Sequence, residues 1–356
     1  MSNELPKGIS EKRVPIDTPD SIVNQEGKFN FGTFKGPFKN LNMLDAKHPV
    51  HGGFTKWFKN KRLKDWEAIE IAFDEGFLVA AIYDLGITSF NVAIFFDEKE
   101  KKSYAWQVFS SPRKINNHWT LIDSEKSLKI GDKSNYIFKN NFEKSEVKFD
   151  GFITTKENGG AFMDFKLTPF TEPSNVCIPF KGKNRALYSH KEVFRVDGTF
   201  KFGDRVFTAN KGTLGIIDDH KGYYPYTMKY YWTTGFGTKK VDGKDLSMGF
   251  NLTENQSVDP YNYNENILWL ENKSFLLPPV HFTFSDGCWH IRDEYDMVHV
   301  DFYPESDFSL NINALIIKLH YCAPHGRLVG YIRDYEGNKY DVSGLSNMGE
   351  DKEYHI

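Results

Sequence analysis

Cysteine is sparse in this chain: Cys177, Cys288 and Cys322 are the 3 thiols in 356 residues. So few, and an odd number, argue against a disulfide framework. Positive charge is not in excess either, since 45 Lys+Arg stand against 48 Asp+Glu and the formal net charge is −3. A nucleic-acid binder concentrates a basic surplus on one surface, so no nucleic-acid partner is expected. No apolar run approaches the ~18 residues of a helical membrane span, and Met1–Lys7 lacks the apolar core of a signal peptide. The expectation is a cytoplasmic chain with no membrane span. No segment carries a long, capped 3.6-residue periodicity. That removes strand–helix alternation together with its dinucleotide and phosphate-loop sites, and there is no Gly-x-Ser-x-Gly elbow or His-Glu-x-x-His. No cofactor is expected.

What is abundant is aromatic: 16% of the chain, with 31 Phe and 18 Tyr, while alanine is scarce. Aromatic side chains fit pleated, half-buried surfaces, which points to an all-β protein. The dominant pattern has period two. Met163, Phe165 and Leu167 alternate with Phe162, Asp164 and Lys166; Val298, Val300 and Phe302 alternate with His299, Asp301 and Tyr303; Leu328, Gly330 and Ile332 alternate with Val329, Tyr331 and Arg333. Turn signals at Asp74–Gly76, Glu157–Gly160, Asp242-Gly243, Asp286-Gly287 and Tyr335–Asn338 divide the runs into short antiparallel strands.

The length suggests two domains. An internal repeat suggests how they arose. Asp150, Asp164, Gly203, Gly212 and Asp218 are followed in the same order, at a nearly constant shift, by Asp286, Asp301, Gly337, Gly344 and Glu350. The expected organisation is an N-terminal arm over 1–29, a first antiparallel barrel over 30–208 and a second over 209–356. Closure of each would remove exposed strand edges.

The densest chemistry lies in Gly215–Gly237, where Asp218-Asp219-His220-Lys221 precedes five tyrosines and Trp232. On an extended strand Asp218 and His220 share one face, and Asp219 and Lys221 the other. A carboxylate beside an imidazole holds its tautomer and lets the pair move a proton near neutrality. Aromatic neighbours then supply the walls of a ligand cavity. Asp218, Asp219 and His220 are the expected catalytic residues, with Asp219 and His220 as acid/base and Asp218 orienting them. Lys221, Tyr224, Tyr226, Tyr230 and Trp232 are the expected substrate-binding residues. The plainer reading is a polar turn between barrels.

Asp218-Asp-His-Lys-Gly-Tyr-Tyr-Pro-Tyr226 followed by Trp232 resembles the central signature of the domain-of-unknown-function 2804 family. Leu63-Lys-Asp-Trp66, Tyr83-Asp-Leu-Gly86 and Gly344–Glu350 agree with it. Tyr230 stands where that pattern has a Trp, and His220 where it commonly has an aromatic residue. The family in turn resembles the tandem lipocalin-like proteins that include carotenoid hydratases and tocopherol cyclases. The resemblance implies two lipocalin-like antiparallel β-barrel domains in tandem.

Two further clusters were weighed as metal sites. Cys288-Trp-His290 and His320-Tyr-Cys322 each place two soft ligands on one strand face, but the spacing matches no zinc module. His48 and His51 form a looser loop pair. No metal is expected. The functional expectation is a cofactor-independent acid/base enzyme (hydration, isomerisation, cyclisation or elimination) with an apolar or polyhydroxylated small-molecule ligand in an aromatic-lined barrel pocket. The alternatives are a non-catalytic lipid or isoprenoid carrier, and a carbohydrate-active enzyme with paired carboxylates. Only Asp218–His220 is followed by an aromatic run. The principal pocket is therefore expected there, with the matching Glu350 outside it in a structural part.

Overall fold

A computed structural model describes residues 13–50, 55–116, 119–144, 146–241, 243–314 and 317–355. It is an all-β molecule of two antiparallel sheets, a nearly closed barrel followed by a half-barrel. The first sheet is built from β2 (Lys64–Phe73), β3 (Gly76–Asp84), β4 (Ser89–Asp97), β5 (Lys102–Ser110), β6 (Asp123–Ile130), β7 (Ser134–Asn141), β8 (Glu146–Thr155), β9 (Gly159–Pro169), β11 (Arg185–Phe202) and β13 (Leu214–Gly222). Their order is β5-β4-β3-β2-β13-β11-β9-β8-β7-β6. Short strands β1 (Gly32–Phe34), β10 (Ser174–Phe180) and β12 (Arg205–Ala209) extend it at the margins.

The second sheet contains β14 (Thr227–Val241), β15 (Lys244–Glu254), β16 (Ile267–Leu270), β17 (Lys273–Leu276), β18 (His281–Ser285), β19 (Cys288–Arg292), β20 (Val298–Ala314), β21 (Ile317–Arg333) and β23 (Ser346–His355). It runs β17-β16-β15-β14-β23-β21-β20-β19-β18, with β22 (Lys339–Asp341) beside β21. This is the order of the first sheet with one strand fewer. β2 corresponds to β14, β13 to β23, β11 to β21 and β9 to β20. The duplication is thus present in the topology. Gly203 and Gly337 both lie in the turn after the long strand, and Gly212 and Gly344 both precede the last one. Two anchors of the sequence match do not correspond. Asp150 lies inside β8, paired with Asp164, whereas Asp286 lies in the β18–β19 turn. The chain changes sheets between Gly222 and Thr227, not at 208/209, because β13 pairs with both β2 and β11.

Alternation builds the strands. Ile69, Ile71, Phe165, Leu167 and Phe200 point into the first barrel and form its core, each buried side chain contributing roughly 1.5–3 kcal/mol. Phe250, Val300, Phe302 and Leu328 do the same for the half-barrel. A third apolar layer, including Val79, Ile216, Trp232, Phe236 and Met348, lies between the sheets and joins the two halves. In the long strands Gly198 and Gly330 occupy equivalent places, at φ +136° and +128°. A Cβ there would stand 2.0 Å from the carbonyl oxygen of Asp164 or of His299 on the facing strand, so only glycine lets the strands close.

The segment from Arg13 onward is packed. Ile22, Val23 and Phe29 are buried beneath the first barrel with Tyr188 and Tyr223. The Arg13 guanidinium donates to the carbonyls of Asn264, Asn266 and Leu277 at 2.7–3.0 Å, tying this segment to the second half. One α-helix, α1 (Lys56–Arg62), is capped by Thr55, whose hydroxyl accepts from the Phe58 N–H at 3.2 Å. No helix among the described residues is long and apolar enough to cross a membrane.

Candidate functional site

Strand β13 is buried on both faces, and alternation divides its four charged residues between two environments. Asp219 and Lys221 point into the first barrel. There the Lys126 ammonium lies 2.7 Å from Asp219, 2.9 Å from Asp65 and 3.4 Å from Glu67, and Lys221 lies 3.2 Å from both Asp65 and Asp219. Burial works against the charge on Lys126, but Asp219, Asp65 and Glu67 outweigh it and hold its pKa well above the ordinary lysine value. This is a closed ion network that braces one end of the barrel. Asp219 and Lys221, expected in the site, therefore stand on the opposite side of the strand from it.

Asp218 and His220 face outward, into a cavity between the two sheets. The expected pocket inside a barrel is replaced by one between barrels, because each barrel's interior is filled by its own core. His220 Nε2 lies 2.8 Å from Asp218 Oδ1, 3.0 Å from Ser189 Oγ and 3.3 Å from Glu265 Oε1. Acidic oxygens thus surround Nε2, and the Tyr224 hydroxyl lies 3.3 Å from Nδ1. Trp66 stacks on the imidazole at 4.6 Å and 12°. Lys191 Nζ approaches Asp218 Oδ2 at 3.1 Å and sits over the Trp232 ring. Burial pushes the Asp218 carboxyl up, but the charges of His220 and Lys191 more than offset it and hold the group below the usual carboxylate range.

The same cavity contains a carboxyl of the opposite kind. Glu70, two residues along β2 from Ala68, lies on the face that carries Trp66 and is buried. Its Oε2 has no hydrogen-bond partner among the described residues. Burial, reinforced by the negative charges of Asp218 and Glu350, raises its pKa well above the usual glutamate value. The surroundings push the two carboxyls in opposite directions, Glu70 toward its protonated form and Asp218 toward its ionised one.

Glu350 borders this cavity as well, contrary to the expectation that it would lie outside. Tyr230 and Tyr321 donate to its two oxygens at 2.8 and 2.7 Å. Lys352, one step further along the same face of β23, lies 5.4–5.7 Å from the rings of Trp66, Tyr230 and Tyr321. The repeat explains the convergence. Trp66 pairs with His220 across β2 and β13, and Tyr230 pairs with Lys352 across β14 and β23. Equivalent positions of the two halves thus line one cavity.

Of the expected ligand-binding residues, Tyr224, Tyr230 and Trp232 line it. Tyr226 is instead 41% exposed and lies under the guanidinium groups of Arg62 and Arg185. Glu70, Lys191, Glu265 and Lys352 were missed, since each reads in sequence as an ordinary charge on an amphipathic strand or loop.

The four soft ligands do not assemble. β20 separates β19 from β21, so Cys288 and His290 stand apart from His320 and Cys322. His320 bonds to Asn311 and Cys322 contacts Asp307. Cys288, His290 and Asp301 do present ligand atoms within 4.8 Å of one another. However, Asp301 Oδ1 already accepts from Arg292 at 2.6 Å and lies 2.7 Å from His290 Nδ1, so an arginine cation holds the carboxylate. His51 lies outside the described residues.

A family model described as "Domain of unknown function (DUF2804)" matches residues 13–355. No curated protein matches the chain. Among solved structures, kievitone hydratase from Nectria haematococca aligns over 97% of this chain and 98% of its own, with a TM-score of 0.51 and 10% identity. A putative AttH from Nitrosomonas europaea covers 81% of this chain and 92% of its own at a TM-score of 0.44 and 12% identity. At such identities the first likeness speaks for the fold, a tandem lipocalin-like arrangement.

Proposed function

The chain belongs to the DUF2804 family, and from that premise we propose that it is an acid/base enzyme that adds or removes a proton at carbon in an apolar, unsaturated small molecule, hydration being the reaction its cavity suits best. The observation that carries this reading is two carboxyls in opposed surroundings at one aromatic-lined cavity, Glu70 buried with an unpartnered Oε2 and Asp218 held between His220 and Lys191, so that the first is pushed toward its protonated form and the second toward its ionised one. Two titratable groups pushed apart by their surroundings assign themselves as acid and base.

In this reading the Glu70 carboxyl delivers its proton to one carbon of a double bond, leaving positive charge on the other. The negative charge of Asp218 and the aromatic lining of the cavity offset that cation. A water molecule adds to it and gives its proton to the Asp218–His220 pair, whose geometry Glu265, Ser189 and Tyr224 hold. The pair then releases that proton to solvent and Glu70 takes one up, which restores both groups. The reverse sequence is a dehydration, and loss of a different proton from the cation is an isomerisation. The neighbour of similar fold is by name a hydratase, which favours the first of these.

The test begins with native mass spectrometry of protein purified without added ligand, to identify any retained small molecule. The released molecule is then incubated with fresh protein in D2O. Deuterium incorporated at carbon by the natural sequence, and lost in Glu70→Gln and Asp218→Asn variants that still bind the molecule, supports the enzyme. Binding with no incorporation by any of them makes the protein a carrier.

A further inference from the structure

The cavity has two unlike lobes. The one described above holds Glu70, Asp218, Glu265 and Glu350 together with Lys191, His220 and Lys352. It shares Trp66, Val79, Tyr83, Tyr224, Tyr230 and Lys352 with a second lobe, walled by aliphatic and aromatic side chains of β4, β20, β21 and β23, among them Phe90, Val92, Ile94, Leu310 and Leu319. Among the described residues, the charged side chains of this second lobe are Lys64 and Lys352, and no carboxylate lines it.

Both lysines are placed there by strand alternation. Lys64 precedes Trp66 by two residues on β2, and Lys352 precedes Tyr354 by two on β23. Lys64 Nζ donates to the Leu85 carbonyl, and the Lys352 ammonium makes no ion pair among the described residues, only the three ring contacts. Glu350 and Asp218 act on Lys352 from the other lobe without reaching it, and burial lowers its pKa. Burial also depresses Lys64, to about 7, with Arg62, Arg113 and Lys352 adding to the effect. An apolar wall with two recessed lysines, one of them shared with the acidic lobe, and no anion of its own is an incomplete electrostatic arrangement. Taking up one negative charge would relieve it.

We infer that the second lobe binds an amphipathic carboxylic acid, its hydrocarbon body against Phe90, Val92, Ile94 and Leu319 and its carboxylate between Lys64 and Lys352. This deepens the proposed function and rests on the same cavity: the acid group is the handle, and the unsaturated part of the body reaches the Glu70–Asp218 lobe. A carboxylate suits the pair because it offers one oxygen to each ammonium. A neutral terpene or a sugar leaves both cations unmatched.

The test is equilibrium binding of two fluorescent probes that differ only at the handle, cis-parinaric acid and its methyl ester. The natural sequence should bind the acid at least about tenfold more tightly, the scale of one charge-assisted hydrogen bond. Lys352→Met, which keeps the stem between the three rings, should lose most of that preference while still binding the ester. Lys352→Arg should retain it, and Lys64→Met should weaken it. Equal affinity for acid and ester, no binding of either, or a preference untouched by both methionine variants overturns the inference. An acid preference that persists while no variant or natural protein incorporates deuterium leaves the handle standing and removes the enzyme. Turnover of a neutral molecule without acid preference does the reverse.

Discussion

Replacing Glu70 by glutamine tests both the electrostatics and the chemistry of the cavity. The amide is close in shape to a protonated carboxyl and cannot ionise. In the natural protein the folded-state pKa of Glu70 is raised above its ordinary value of 4.5. That is opposite to the usual behaviour of a native carboxylate, so the sign is opposite too. Its contribution to stability is fully present below about pH 4.5 and is lost as pH rises through the folded value, because the unfolded chain ionises freely and the native one resists. Each pH unit inside that window costs the natural protein about 1.4 kcal/mol relative to the variant. Two units amount to about 3 kcal/mol, a large fraction of the ~5–15 kcal/mol that holds a typical domain together. Urea unfolding of both proteins from pH 4 to 8 should therefore give nearly equal midpoints at the acid end and a widening advantage for Glu70→Gln above it. Turnover should fall by about 10²–10⁴, the usual contribution of a general acid. Parallel stability profiles would refute the reasoning, since they would mean that Glu70 is already ionised in the native cavity.

Three further outcomes follow from the geometry. Asp219→Asn removes one acid from the Lys126–Lys221 network and should destabilise the fold by about 3–5 kcal/mol in urea unfolding, with turnover per folded molecule unchanged; a stable but inactive variant would move the site to the barrel interior. Gly198→Ala and Gly330→Ala should each cost about 2 kcal/mol or more by thermal unfolding, whereas Gly203→Ala, at φ +53° with nothing within 4 Å, should cost no more than about 1 kcal/mol. Tyr230→Phe and Tyr321→Phe share the Glu350 carboxylate, so a double-mutant cycle on unfolding free energy should show coupling of roughly 0.5–3 kcal/mol, and simple additivity would mean that the two bonds are not made together.

The architecture was legible because its signals are local. Alternation in Met163–Leu167 and Val298–Phe302 named the buried faces, and Asp286-Gly287 marked a hairpin whose two residues both take positive φ. The repeat was legible at the turns and the last strand, at Gly203/Gly337, Gly212/Gly344 and Asp218/Glu350, and failed where a common Asp-Gly pair recurred by chance. The site was half legible. Asp218 and His220 could be placed on one face by spacing alone. Which face carried the cavity could not be read, because all nine residues of β13 are buried and its inside and outside look alike in composition. Glu70 shows the same difficulty. In Glu67-Ala-Ile-Glu70 one acid enters the ion network, hydrogen-bonded to Asn140, and the other enters the cavity. Only the packing of a second sheet on the first, a contact between residues far apart in sequence, tells them apart.

That packing has an implication for how the molecule was made. Equivalent positions of β2 and β13 in one half and of β14 and β23 in the other line the same cavity, an arrangement akin to the self-matching interface of a two-fold dimer. Asp218 and its counterpart Glu350, His220 and Lys352, and Trp66 and Tyr230 all line the one cavity there. Two identical subunits would have enclosed a symmetric chamber in which a guest has two equivalent orientations. In the single chain those equivalent positions differ, acid–imidazole on one side and phenol-bound acid with a lysine on the other. The chamber thereby acquired a head and a tail, and neither half alone retains a wall to close it.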